Sequence, residues 1–290
     1  MVEQQNCNPK SPIESKMKRP RRFVDRYGPW ALVAGASEGL GAAFARALAS
    51  HGMNLVLIAR RKRMLDALAS EYRQLYHIEV LCLEIDLSMP DFLTRLLSSL
   101  SGLEVGMVVY NAVFAPVGEF DSLDPADLLR VVQVNIASPV ALVRSLLPPM
   151  IGRKRGALIL MSSLAGNQGS PRLATYAASK AFNTVLAEGL WHELKGRGID
   201  VLVCCVGAVR TPGYAKTAGS DAPGTLDADF VIERTLHALG RGPRVIPGFV
   251  NQVANWVLSR IVSRRMAIGI MAGSTKDLAA DAGQQKEMGA

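Results

Sequence analysis

Trp30-Ala31-Leu32-Val33-Ala34-Gly35-Ala36-Ser37-Glu38-Gly39-Leu40-Gly41 runs from a short apolar segment straight into a glycine-rich turn. Leu40, Ala43, Phe44, Ala47 and Leu48 then recur at helical spacing, so the stretch predicts strand, tight turn and helix in that order. Glycines at 35, 39 and 41 permit a sharp turn and let a pyrophosphate approach the backbone closely. The phosphates would then meet the amides and positive dipole of the helix N-terminus. A dinucleotide is the ligand this stretch implies.

The alternation continues along the chain. Apolar runs at 54–59, 79–85, 106–110, 157–162 and 199–206 read as buried strands, with a further short strand expected near 244–246. Helical stretches at 62–74, 91–100, 127–147 and 174–195 are long enough to cross between parallel strands. The fold class is therefore α/β: a single Rossmann-type, doubly wound domain whose parallel sheet of about seven strands is flanked by helices. A chain of 290 residues with 49% hydrophobic content supports one such core. The expected organisation is a basic, disordered tail at 1–26, a catalytic domain at 27–272 with a substrate lid at 209–226, and a polar tail at 273–290.

Downstream, Ser163, Tyr176 and Lys180 form a Ser-x12-Tyr-x3-Lys array. Residues four apart share a helix face, so the Lys180 ammonium is expected beside the Tyr176 phenol. A neighbouring cation lowers a phenol's pKa and makes it a general acid or base near neutral pH, while the Ser163 hydroxyl polarises the same oxygen. Past the second strand, Ala59-Arg60-Arg61 offers two guanidinium groups and no acid until Asp66. Arginine at this place favours a ribose 2′-phosphate, so NADP(H) is the preferred cofactor and NAD(H) a possible one.

In order, these marks resemble the short-chain dehydrogenase/reductase family: the glycine turn, Asp86, Asn111-Ala112, Asn135, Ser163, Tyr176-Ala177-Ala178-Ser179-Lys180 and Gly207-x3-Thr211. The wording of 52–57 and 245–248 is similar to the branch of hydroxysteroid dehydrogenases and long-chain ketoacyl reductases. The resemblance implies catalytic roles for Asn135, Ser163, Tyr176 and Lys180, with Asn135 stabilising a helix kink. It implies cofactor contacts at Gly35, Ser37, Glu38, Gly39, Leu40 and Gly41 in the turn and at Arg60 and Arg61. Glu38 runs against the preference for NADP(H), since many NADP-preferring members of the family this chain resembles carry a basic residue at this place in the turn. It places Asp86 and Leu87 on the adenine, Asn111 beside the cofactor, and Tyr176, Lys180, Val209 and Thr211 on the nicotinamide side. Three departures stand out: Ala34, Val113 and Val206 replace the family's usual threonine, glycine and proline. The expected reaction is ketone–alcohol interconversion on a bulky hydrophobic substrate, steroid-like, acyl or aryl, and the alternative is a catalytically silent NADP(H)-binding regulatory module. Relatives of this kind form homodimers or homotetramers.

The net charge of +8 is unevenly placed. Residues 1–22 hold six basic and two acidic side chains, residues 241–265 five basic and none acidic, and the catalytic body is near neutral. This distribution reads as a solvated tail and gives no case for a nucleic-acid partner. Val250, Val253, Ala254, Val257 and Ile261 recur at helical spacing. Packing on the substrate pocket or a partner subunit is the expected use of that face, ahead of peripheral membrane contact. Cysteines 7, 82, 204 and 205 have neither metal-ligand spacing nor the look of a disulfide framework, so no metal is expected and a reducing, cytoplasmic setting fits.

Overall fold

The computed structural model of the chain describes residues 21–215 and 221–275. In chain order its elements are α1 (Arg21–Tyr27), β1 (Trp30–Ala34), α2 (Gly39–Ser50), β2 (Asn54–Ala59), α3 (Lys62–Tyr76), β3 (Val80–Glu84) and α4 (Phe92–Ser99). They continue with β4 (Val105–Tyr110), α5 (Pro125–Val132), a π-helical turn (Gln133–Ala137), α6 (Ser138–Gly152), β5 (Gly156–Ser163), a 3-10 turn (Leu164–Asn167) and α7 (Ala174–Leu194). The last are β6 (Ile199–Val206), β7 (Val209–Arg210), α8 (Pro212–Ala215), β8 (Leu226–Asp227), α9 (Ala228–Ala238), β9 (Arg244–Val245), α10 (Phe249–Arg260) and α11 (Arg264–Ser274).

Seven strands form one sheet in the order β3-β2-β1-β4-β5-β6-β9, and every pairing is parallel. The order reverses between β1 and β4, which opens a crevice at their carboxyl ends. Strands covered on both faces are apolar over most of their length, and this is why they read as hydrophobic runs. Successive residues still point to opposite faces. Ala31 and Val33 join a core with Phe44, Leu48, Leu65 and Val231, while Leu32 and Ala34 join one with Leu96, Leu142 and Leu158. Cys204 and Cys205 divide in the same way, so they cannot pair with each other. Each fully buried side chain of this kind stabilises the fold by roughly 1.5–3 kcal/mol.

Three features depart from the sequence expectations. The chain is already helical from Arg21, so the expected tail boundary at residue 26 falls inside α1. Tyr27 is buried and donates from its hydroxyl to Asp200 at 2.9 Å, while Arg26 pairs with the same carboxylate at 2.6 Å. The single helix expected over 127–147 starts at Pro125, ends at Gly152, and is interrupted by the π turn. Pro139 accounts for the interruption: it has no N–H to return to the carbonyl four residues back, which belongs to Asn135. The expected lid is in part β7, α8 and β8, and in part lies outside the described residues, as do 276–290 and 1–20.

Candidate active site

A cleft of about 330 Å³ opens at the carboxyl ends of β1 to β4. Its wall includes Gly35, Ser37, Glu38, Gly39 and Leu40 after β1, Arg60 and Arg61 after β2, Asp86 and Leu87 after β3, Asn111 to Phe114 after β4, and Thr211. Gly41 packs behind the turn: a Cβ there would lie 1.9 Å from the Gly35 carbonyl oxygen. Gly35, at φ +79°, has no such room either, because its Cβ would lie 2.7 Å from Ala112. Val209 is absent from this wall; its side chain lies in the core, leaving only its backbone to face a ligand.

Without the hydroxyl expected at position 34, Asn111 carries the tie to the turn. Its amide N–H donates to the Ala34 carbonyl at 3.0 Å and its Nδ2 to the Gly35 carbonyl at 3.0 Å. The N-terminus of α2 has neither a side-chain cap nor an acid in its first turn. Its first amides and dipole therefore suit a pyrophosphate, and the cleft fits a dinucleotide.

Four charged groups of the cleft, Glu38, Arg61, Asp86 and Arg130, are engaged in two ion pairs. Arg61 Nη2 lies 2.8 Å from Glu38 Oε1 and donates to Ser37 Oγ at 2.9 Å. Asp86 accepts from the Ser88 amide at 2.9 Å and its hydroxyl at 2.7 Å through one oxygen, and from Arg130 Nη2 at 2.9 Å through the other. Partial burial opposes the Asp86 charge, but the two Ser88 bonds, Arg130 and Arg60 outweigh it and hold the carboxyl below its ordinary value. Arg130 also stacks over the Phe114 ring, 4.9 Å from its centroid.

Beyond the cleft, β5 and α7 bring the proton-handling groups together. Ser163 ends β5, its hydroxyl accepting from the Ala165 amide at 3.2 Å and lying close enough to the Tyr176 phenol to favour the phenolate. Lys180 sits one turn after Tyr176 with its Nζ 5.6 Å from the ring centroid, and is buried. The ammonium donates to the Met161 carbonyl at 3.0 Å, and Ser162 Oγ donates to the Lys180 carbonyl at 2.7 Å, so the helix is pinned to the strand. Burial depresses Lys180 from 10.5 to about 8. Burial also raises the Tyr176 phenol, against a lowering by the neighbouring Ser163 hydroxyl. The spacing argument expected a lowered phenol. The residues meet as expected, and in the chain alone desolvation is the larger influence on the phenol.

Asn135 joins the two regions. Its Oδ1 accepts from the Phe114 amide at 2.9 Å and its Nδ2 donates to the Phe114 carbonyl at 2.9 Å, clasping the loop that walls the cleft. The same Nδ2 donates to Ser179 Oγ at 3.0 Å, and Ser179 Oγ donates to the Tyr176 carbonyl at 2.7 Å. Positioned tyrosine, serine and buried lysine beside a dinucleotide-shaped cleft can exchange a proton with a carbonyl or alcohol oxygen.

Residues 29–221 match the family model of the short chain dehydrogenases. The chain belongs to the short chain dehydrogenase family. Among its relatives, a 7beta-hydroxysteroid dehydrogenase of Clostridium sardiniense is 32% identical over 233 residues, covering 79% of this chain and 89% of the relative. A very-long-chain 3-oxoacyl-CoA reductase-like protein of Arabidopsis thaliana is 31% identical over 264 residues, covering 87% and 84%. A solved 7beta-hydroxysteroid dehydrogenase superposes with a TM-score of 0.82 at 28% identity over 86% of this chain and 98% of its own. A short-chain dehydrogenase from Sphingobium yanoikuyae in complex with NADPH superposes with a TM-score of 0.71 at 29% identity over 81% and 97%.

In this short chain dehydrogenase, sequence reading missed Arg130 and Asn183. Arg130 has no local signal, since its partner Asp86 is 44 residues away. Asn183, one turn past Lys180, donates to the Asn135 carbonyl at 3.1 Å; Pro139 was the one mark in the sequence that pointed to a carbonyl in need of a donor.

Proposed function

We propose that the protein is an NADP(H)-dependent oxidoreductase that interconverts a ketone and a secondary alcohol on a bulky hydrophobic substrate. The observation that carries the reading is the buried Lys180, pinned to β5 with its Nζ 5.6 Å from the Tyr176 ring centroid, close to Ser163 and next to a cleft whose wall carries Arg60 and Arg61. NADPH bound in a neighbour of the same fold supports the cofactor, and the steroid and acyl relatives support the substrate class.

A bound nicotinamide would exchange a hydride with the substrate carbon. Ser163 and Tyr176 then share the substrate oxygen: the Ser163 hydroxyl donates to it, and Tyr176 Oη delivers the proton in reduction and takes it in oxidation. Burial keeps the proton on Tyr176 until charge develops on that oxygen. Lys180, with a pKa of about 8, is near balance between its two protonation states and can restore the proton. Asn135 holds the loop at Phe114 and the helix at Ser179 in register, which fixes the oxygen position relative to the cleft.

Apolar surface for such a substrate is offered by α10. Phe249, Val250 and Val253 are exposed on α10, and Asn251 Nδ2 ties that helix to the lid by donating to the Gly224 carbonyl at 3.1 Å. A homodimer or homotetramer is the assembly proposed, and a cytoplasmic location goes with it.

Titration of the purified protein with NADPH and NADH, then nicotinamide absorbance with a panel of steroidal, acyl and aryl ketones, tests the reading. Tight NADPH binding with oxidation by one ketone class is expected. Tight binding without turnover of any ketone or matching alcohol would overturn it in favour of a silent regulatory module.

A further inference from the structure

Glu38 occupies the N-cap position of α2, where a carboxylate would ordinarily accept a bond from the first-turn amides. It makes no such bond. Its backbone is extended, at φ −160° and ψ 174°, and its carboxylate reaches Arg61 Nη2 at 2.8 Å. Arg61 stands at the start of α3, with the same Nη2 bonded to Ser37 Oγ, and all three residues belong to the cleft wall. The carboxylate and any 2′-phosphate entering this corner are two anions directed at one guanidinium.

We propose that Glu38 is an internal counter-ion that holds Arg61 ahead of the cofactor and so sets how strongly the site discriminates for the ribose 2′-phosphate. This rests on the dinucleotide reading of the cleft. A phosphate that gains Arg61 must first displace the carboxylate and then stand near it, so part of the attraction of the arginine is spent on releasing an existing pair. NADH brings no 2′-phosphate, leaves the Glu38–Arg61 pair closed, and binds with its ribose hydroxyls beside an intact carboxylate. The enzyme is thereby less selective for NADPH than two consecutive arginines alone would make it. Arg60, also in the wall, keeps the corner basic while Arg61 is engaged.

The experiment is a double-mutant cycle read by binding. NADPH and NADH are titrated by fluorescence, and adenosine 2′,5′-bisphosphate and AMP by calorimetry, into wild type, Glu38→Gln, Arg61→Ala and the double variant. Glu38→Ala and a thermal melt check that the turn survives. Glu38→Gln is expected to tighten NADPH and the bisphosphate about tenfold, equivalent to 1.4 kcal/mol, with NADH and AMP changed less than about twofold. In the Arg61→Ala background the gain should fall below about twofold, because the residue competed for is gone. Equal effects on phosphorylated and unphosphorylated ligands, or a gain undiminished without Arg61, overturns the inference while leaving the dinucleotide reading in place. Failure of all four ligands to bind wild type overturns the dinucleotide reading, and the inference with it.

Discussion

Asn183 Nδ2 donates to the Asn135 carbonyl, 3.1 Å away, in the place that Pro139 leaves vacant in the helical ladder. Both asparagines are buried. A side chain on α7 thus completes the backbone of the neighbouring helix, and the π turn that carries Asn135 is stabilised from outside.

Asn183→Ala should therefore strand a buried carbonyl and lower stability by about 1–3 kcal/mol in urea unfolding. Pro139→Ala restores an N–H for that carbonyl, so the double variant should be less destabilised than Asn183→Ala alone. Simple additivity of the two changes would show that the bond does not repair the proline's gap.

Tyr176→Phe keeps the ring and loses the proton. Turnover should fall by at least about a hundredfold with the dinucleotide affinity within a few-fold of wild type. Stopped-flow and equilibrium titration separate the two quantities, and undiminished turnover would remove Tyr176 from the mechanism.

Lys180 gives a stability signature with a definite sign. Its folded pKa, about 8, lies below the unfolded value of 10.5, so between these pH values the unfolded chain binds the extra proton and native stability rises with pH. Lys180→Met removes the titration. The difference in unfolding free energy, wild type minus variant, should climb between pH 8 and 10.5 by up to roughly 3 kcal/mol. A flat difference would mean that the ammonium is not desolvated.

Gly41→Ala forces a methyl into the Gly35 carbonyl. The turn must open, and the expected result is a stability loss on the order of 3 kcal/mol together with loss of NADPH binding. Retention of both in a melt and a titration would be incompatible with the packing of this turn.

Replacing Arg60 and Arg61 together with alanine should weaken NADPH by at least about tenfold more than NADH. Equal weakening in parallel titrations would remove the 2′-phosphate from their role.

Much of this was legible in the chain because parallel strands buried on both faces leave little freedom of composition. The runs 30–34, 54–59 and 199–206 match β1, β2 and β6 residue for residue. The strand expected at 244–246 shrinks to two residues at the sheet edge, where a single neighbour supplies the ladder. What could not be read depends on partners distant in sequence. The helix Arg21–Tyr27 reads as part of a basic tail until Asp200, 173 residues after Tyr27, is brought beneath it. Glu38 was visible as an anomaly, but its contact with Arg61 follows from the packing of two turns. That burial raises the Tyr176 phenol in the chain alone was not legible, because spacing reports neighbours and says nothing of how much water they exclude.

Asn135 is the one polar side chain described above that grips both the cofactor-side loop at Phe114 and the catalytic helix at Ser179. On the proposed function, dinucleotide choice would fall to the turns after β1 and β2 and proton transfer to α7, with Asn135 linking them. An engineer can treat the halves as separable: changes at 38, 60 or 61 should combine independently with changes to the substrate side, and coenzyme preference can be rewritten without re-optimising the chemistry, provided Asn135 is left alone.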